Sequence, residues 1–286
     1  MTASEDPDAL RSALLDRWER SAPGWAARRD RLRAFGMPVS RWMIDAVSPQ
    51  PGQRILELAA GVGDTGLLAA ELLDPGGTLV SSDATEGMLE AARARALELG
   101  AENVEFARLE LEWIDLPTAT VDAVLCRWGF MFAVDPEAAL TETRRVLRPG
   151  GRLALAAWDQ PDHNPWATIP TRALVALGHV PAPDPSAPGM FALAAPGRLT
   201  ELLEGAGFTE VMVGAVDLEG NYDSLDAYVE ETRDLSGQFG DIVDGLSEAD
   251  RDALRNEIAA LAAPFASGAG GALRIPARSL VAAASS

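Results

Sequence analysis

Between residues 54 and 158 the chain alternates short, continuous apolar runs with longer segments whose apolar positions recur at helical spacing. The runs at 54–58, 78–82, 104–109, 121–127 and 152–158 predict five strands. Between them, helices are predicted over 66–73, 86–99 and 136–147. In the second of these, Met88, Leu89, Ala92, Ala96 and Leu99 fall on one face. Stop signals close the helices: Asp74-Pro75-Gly76-Gly77, Gly100, and Arg148-Pro149-Gly150-Gly151. Strands that are apolar on both faces and alternate with helices indicate a mostly parallel sheet with helices on either side and right-handed crossovers. The fold class is therefore α/β.

Outside this stretch the pattern changes. Residues 8–33 read as helical, with a break expected at Pro23-Gly24, and a second helix is expected over 38–47. Residues 159–196 hold eight prolines, a density that suits a cap over a site better than more sheet. A helix over 196–205 and strands over 211–218 and 273–283 follow, with two helices, 224–235 and 247–262, inserted between those strands. The expected organisation is an N-terminal helical lid (1–48), a nucleotide-binding core (49–158), a cap or substrate insertion (159–196), and a C-terminal part of the core carrying a helical insertion at about 224–263.

Length and composition narrow the picture. At 286 residues and 48% hydrophobic, the chain can bury a substantial core. All 24 positive residues are arginines, against 43 acids, for a net charge of -19. Such a surface disfavours nucleic-acid and membrane-surface partners. The acidic start and the single cysteine, Cys126, argue for a cytoplasmic location.

Gly61, Gly63 and Gly66 form G-x-G-x-x-G between a strand and a helix, the context in which that spacing serves a nucleotide. Asp83 stands 22 residues beyond Gly61 at the next strand end, where a carboxylate can hold ribose hydroxyls. Glu57 precedes the loop, Asp64 lies within it, and no arginine falls between Glu57 and Gly66. These acids oppose a pyrophosphate and favour the ammonium and sulfonium of S-adenosylmethionine. A nicotinamide dinucleotide is the competing reading of the loop.

The segment from Ile55 to Gly66 resembles the first motif of the Rossmann-like, S-adenosylmethionine-dependent methyltransferases, most closely the ubiquinone/menaquinone-biosynthesis type and its small-molecule relatives. Three further stretches match in order: Ser82 to Met88, Val121 to Met131, and Arg144 to Arg152. The resemblance implies a seven-stranded, three-layer sandwich with a final antiparallel strand between strands five and six. It implies that Glu57, Ala59 and Gly61 face the methionine part of the cofactor, with Gly63 also cofactor-binding, that Asp83 holds the ribose with Ala84 beside it, and that Met88 packs on the adenine. Glu110 and Leu111 fall where the family reads the adenine edge with aspartate and alanine. Arg127 and Trp128 are implied to lie near the transferable methyl. S-adenosylhomocysteine is the implied product.

The remaining candidates carry two readings each. His163 follows the fifth strand at the ligand-binding edge and is the candidate general base or substrate contact; a loop role is the alternative, as it is for His179. Trp25, Met131 and Trp166 are candidate substrate contacts, with ordinary packing as the alternative. Trp18 and Trp25, seven residues apart, form either core or a lid whose ring faces suit a sulfonium. Arg28, Arg29, Arg31 and Arg33 read as an ion-paired helix face or an anion contact. Cys126 reads as a buried, inert thiol. Two separate histidines and one cysteine offer no metal-ligand cluster. The expected activity is in-line methyl transfer to a small molecule by a monomer or homodimer. A non-catalytic cofactor-binding protein and an NAD(P)-dependent oxidoreductase are the alternatives.

Overall fold

The computed structural model describes residues 6–184, 187–268 and 271–286. Five strands are built from the apolar runs: β1 (Arg54–Glu57), β2 (Thr78–Asp83), β3 (Val104–Arg108), β4 (Val121–Arg127) and β5 (Leu147–Trp158). They pair in parallel in the order β3-β2-β1-β4-β5. Three C-terminal strands complete the sheet: β6 (Thr209–Tyr222), the two-residue β7 (Ala266–Ser267), and β8 (Ala272–Ser285). β8 lies between β5 and β6 and runs antiparallel to both, while β7 pairs with β8 alone. The expected final antiparallel strand is therefore present, and the count rises from seven strands to eight because of β7. The sheet is dry where it matters: Ile55, Leu56, Val124, Leu125, Leu155 and Val281 are buried in one continuous cluster.

The helices differ more from the sequence reading. At the N-terminus, α1 (Pro7–Ala27) runs unbroken through Pro23, and α2 (Arg29–Val47) runs through Pro38. The chain breaks instead at Arg28. A proline removes one backbone donor from a helix, and tertiary contacts to α1 and α2 outweigh that loss here. The loop and crossover helices α3 (Asp64–Ala70), α4 (Glu86–Leu99) and α5 (Pro136–Val146) stand within a few residues of expectation.

The segment expected as a loop-rich cap folds a helix, α6 (Pro165–Ala176), with Pro170 inside it. After α7 (Arg198–Gly205), three helices cross the C-terminal region: α8 (Leu225–Leu235), α9 (Gly237–Gly245) and α10 (Glu248–Ala262). The glycine-bounded α9 escaped the sequence reading. These helices and the far ends of β6 and β8 share a second core around Ile169, Tyr228, Phe239, Leu254, Ile258 and Ile275. α6 belongs to this lobe, so residues 159–184 pack beside the sheet's end and not over the glycine loop. No helix among the described residues is long and apolar enough to cross a membrane.

Candidate functional site

The carboxyl ends of β1, β2 and β4 open into a cavity of about 160 Å³, room for on the order of ten water molecules. The loop after β1 forms its floor. Gly63 caps α3 with φ of 85°, and Ala59 holds φ of 49°. Glu57 is buried beneath the loop. Its Oε1 accepts the Gly66 N–H at 2.7 Å, and its Oε2 accepts the Ser81 hydroxyl at 3.2 Å. A side chain at position 66 has no room, because a Cβ there would stand 2.7 Å from Glu57 Cδ and closer to Oε2. Burial pushes the Glu57 carboxyl up to about 7, opposed by the Gly66 N–H and by Arg127. The folded chain thus holds a proton that the unfolded chain releases near 4.5. This group's contribution to stability is present at low pH and is lost as pH rises through about 7.

Asp83 ends β2 at the cavity wall. Its Oδ2 accepts from Gly61 N at 2.9 Å, and its Oδ1 accepts from the Thr85 N–H and hydroxyl, both at 3.0 Å. One carboxylate therefore pins both turns that flank the cleft. Burial raises its pKa while these donors lower it.

The end of β4 supplies Arg127 and Trp128. No local sequence signal placed a cation at the loop, yet the sheet brings Arg127 there from 61 residues beyond Gly66. Its guanidinium donates to Ser40 Oγ at 3.0 Å and pairs with Asp64 at 3.4 Å. It lies 4.9 Å from the Trp128 ring centre. Trp128 adopts φ of 61°, a strained conformation for a bulky residue. Three contacts hold it: Trp128 N donates to Ala156 O at 2.9 Å, Nε1 donates to Ser279 Oγ at 2.9 Å, and the ring stacks on Trp158 at 4.3 Å. The two strained residues, Ala59 and Trp128, lie close together where the paired strands β1 and β4 end.

Of the residues implied for the cofactor, Glu57, Ala59, Gly61, Asp83, Ala84, Met88, Glu110, Leu111, Arg127 and Trp128 all line the cavity. Gly63 does not; it faces Ala92 of α4 from the N-cap of α3. Of the substrate candidates, only Trp25 lines it. Met131 is buried in the main core, and Trp166 packs edge-on against Trp158 and Phe35. His163 also lies off the cavity lining: its Nδ1 sits 2.7 Å from Asp159 Oδ2, with the side chain half-exposed in the loop after β5. The position of His163 after a strand end suggested the site, but its loop is tied to β8 by the neighbouring Asn164, whose Nδ2 donates to the carbonyls of Asp159 and Arg278. His163 is therefore withdrawn as the general base. Among the described residues the cavity lining holds no histidine, cysteine or tyrosine.

The roof comes from α1, inside the segment read as a lid, and Arg11, Leu14 and Leu15 are the residues that reading did not name. Arg11, Leu14, Leu15, Trp18 and Trp25 of α1 line the cavity, opposite Phe132 and Val134 from the turn after β4. Trp18 meets Phe132 edge-on at 5.0 Å and Trp25 at 5.6 Å. Trp18, Trp25 and Ala22 pack on Val62 and Met88. The spacing 11, 14, 15, 18 and 25 was itself a helical stripe that could have identified them. The arginine run serves packing more than ligands. Arg28, Arg29 and Arg31 pair with Asp234, Glu98 and Glu231. Cys126 is buried, with its thiol pushed up to about 12 by burial.

The arrangement suits S-adenosylmethionine. The buried carboxylates of Glu57 and Asp83 and the apolar side chains of Met88, Leu109 and Leu111 line this one cleft. Residues 58–155 match the family model described as a methyltransferase domain. Nocamycin O-methyltransferase of Saccharothrix syringae is 32% identical over 205 residues, covering 68% of this chain and 73% of that protein. The demethylmenaquinone methyltransferase of Clavibacter sepedonicus is 39% identical over 116 residues, covering 41% of this chain and 45% of that one. The YcgJ protein of Bacillus subtilis has a similar fold, with a TM-score of 0.58 at 20% identity over 86% of this chain and 97% of that one. The loop, the two acids at successive strand ends and these matches agree, and the chain belongs to the Rossmann-like, S-adenosylmethionine-dependent methyltransferases.

Proposed function

We propose that this methyltransferase acts on a small, largely apolar acceptor held under α1. The supporting observation is the aromatic wall of Trp18, Trp25, Trp128 and Phe132 around the cavity. Two relatives carry the names nocamycin O-methyltransferase and demethylmenaquinone methyltransferase, and small-molecule acceptors of that kind are compatible with such a wall. When bound, the cofactor supplies a methyl carbon activated by its sulfonium for in-line attack. The chain's part is to hold the two reactants in line and to exclude water. Asp83 fixes the ribose end, Glu57 and Asp64 provide negative charge near the amino-acid end, and the aromatic wall flanks the acceptor. The described lining holds no histidine, cysteine or tyrosine, so an acceptor that keeps its proton would give it to a carboxylate there, Glu110 or Glu112, and an acidic acceptor would need no base. In this reading residues 1–48 carry the lid, 49–158 the cofactor core, and the compartment is the cytoplasm, as the single cysteine suggests.

The test is formation of S-adenosylhomocysteine on a panel of hydroquinones, phenols and enolic acceptors. Turnover with apolar members and none with polyanionic ones is expected. Cofactor binding without product across the whole panel would instead make the protein a non-catalytic binder.

The charge on Glu57 gives a second expectation. Cationic groups of the cofactor favour the ionised carboxylate, whereas the cofactor-free protein holds a proton there below about 7. Binding at pH 6 therefore releases close to one proton, and affinity climbs with pH until it levels off above 7. Calorimetry in buffers of different ionisation enthalpy reads this release. Glu57→Gln abolishes it; a release that persists in that variant assigns the proton elsewhere.

A further inference from the structure

Among the described residues two cations line the cavity, Arg11 and Arg127. Arg11 is occupied at the roof, where it pairs with Glu112 and Asp8. Arg127 stands beside the glycine loop and is buried, with a side-chain exposure of 9%. A guanidinium taken out of water is costly unless ions and acceptors surround it. Arg127 has few of either. Its Nη1 donates to the neutral Ser40 hydroxyl and its Nη2 meets Asp64 at 3.4 Å, so these bonds use two of about five N–H donors. Neither of them involves Nε. No buried side-chain nitrogen among the described residues lacks a partner, so Nε is open to the cavity that Arg127 lines.

The surroundings hold this cation in place. Asp64 is buried and is not part of the cavity lining, so it pairs with the guanidinium from behind. On α2, Gly36 lies against the same group: a Cβ there would meet Nη1 and stand 3.1 Å from Cζ. Glycine inside a helix is less favourable than alanine, and the close approach of Arg127 gives this glycine a physical reason. A planar fork of donors matches a carboxylate. S-adenosylmethionine carries one such group, the α-carboxylate of its amino-acid end. A pyrophosphate would bring more charge, which the Glu57 and Asp83 carboxyls on the same lining oppose.

We propose that Arg127 binds the α-carboxylate of the cofactor, and that Gly36 provides the space its guanidinium needs to do so. The proposal rests on the cavity being the cofactor site. It gives the amino-acid end of the cofactor both signs of charge, a cation for the carboxylate and acids for the ammonium.

The test is calorimetric titration of the full chain with S-adenosylhomocysteine and with its decarboxylated analogue, which lacks only that carboxylate. The parent binds S-adenosylhomocysteine about ten- to a hundredfold more tightly than the analogue. In Arg127→Met the ratio falls to within about threefold, because the ligand group and its partner are then both absent from the comparison. Gly36→Ala keeps every charge and suits a helix, but its Cβ displaces the flexible end of Arg127, so its ratio falls to an intermediate value. This variant decides the matter if Arg127→Met does not fold. Equal affinity of the parent for the two ligands overturns the proposal. So does a parental ratio in Arg127→Met or in Gly36→Ala. Asp83→Asn separates this proposal from the site assignment, since it weakens both ligands alike and leaves their ratio unchanged. If it leaves both affinities at the parental value, the cavity is not the cofactor site and the role of Arg127 falls with it. If it weakens both while Arg127→Met keeps the parental ratio, only the role of Arg127 falls.

Discussion

Asp83→Ala weakens binding of S-adenosylmethionine by about 1–3 kcal/mol, a loss of roughly fivefold to 150-fold, measured by calorimetry on the folded variant. Two effects add. The first is the loss of a buried carboxylate at the proposed ribose position, whose hydrogen bonds to hydroxyls are charge-assisted. The second is local. Asp83 accepts from Gly61 N and from the Thr85 N–H and hydroxyl. Without it those backbone donors lose their partner and the turns on both sides of the cleft loosen. Asp83→Asn keeps the volume but not the charge or the full acceptor set, and it ranks between parent and alanine. Parental affinity in the alanine variant would show that the ribose lies elsewhere. Comparing thermal melts of the cofactor-free proteins separates the turn effect from the ligand effect.

Gly66→Ala is the second change with a large expected effect, and it acts through packing. The added Cβ meets Glu57 Cδ at 2.7 Å and Leu79 Cδ2 at 3.0 Å. Real methyl groups do not sit this close to other heavy atoms. Glu57 cannot move aside freely, because it is buried among Ser81, Gly66 and Arg127. Overpacking of this kind costs about 1–3 kcal/mol. The bond between Gly66 N and the Glu57 carboxyl, which is protonated below about 7 in the cofactor-free protein, is disturbed as well, and such a hydrogen bond contributes about 0.5–1.5 kcal/mol. The expected outcome is a fall in the denaturant midpoint together with cofactor affinity reduced at least tenfold. A variant of unchanged stability and affinity would mean that α3 shifts to make room, and that Glu57 is not locked under the loop. Gly61→Ala is a useful contrast, since a Cβ there meets nothing within 4 Å and the strain comes from φ of 56° alone.

Much of the core was legible in advance because its signals are local. Apolar runs such as Val121–Arg127 reveal strands that are dry on both faces, and glycines before α3 reveal the turn that such a strand feeds. The distance from Gly61 to Asp83 is set by one helix and one strand, so the two acids could be placed at neighbouring strand ends by counting. Errors of one to three residues at the ends of β2, α3 and α5 reflect fraying. The helices that were misjudged, α1, α2 and α6, each carry a proline that a local reading treats as a break. Contacts with distant partners hold them helical instead, as when Tyr228 of α8 donates to the Trp166 carbonyl of α6 at 2.6 Å.

By itself, then, the sequence determined the order of the parallel strands' apolar runs, the glycine loop and the sign of the charge that the loop favours. Each depends on residues within one strand–turn–helix unit, where spacing translates directly into geometry. Only the tertiary structure decided which side chains cover that loop. It brought Arg127 across the sheet to Asp64, laid the aromatic stripe of α1 over Met88, and turned His163 toward Asp159, away from the cavity. Those placements follow from how helices and loops far apart in the chain share one core, and no local spacing encodes that.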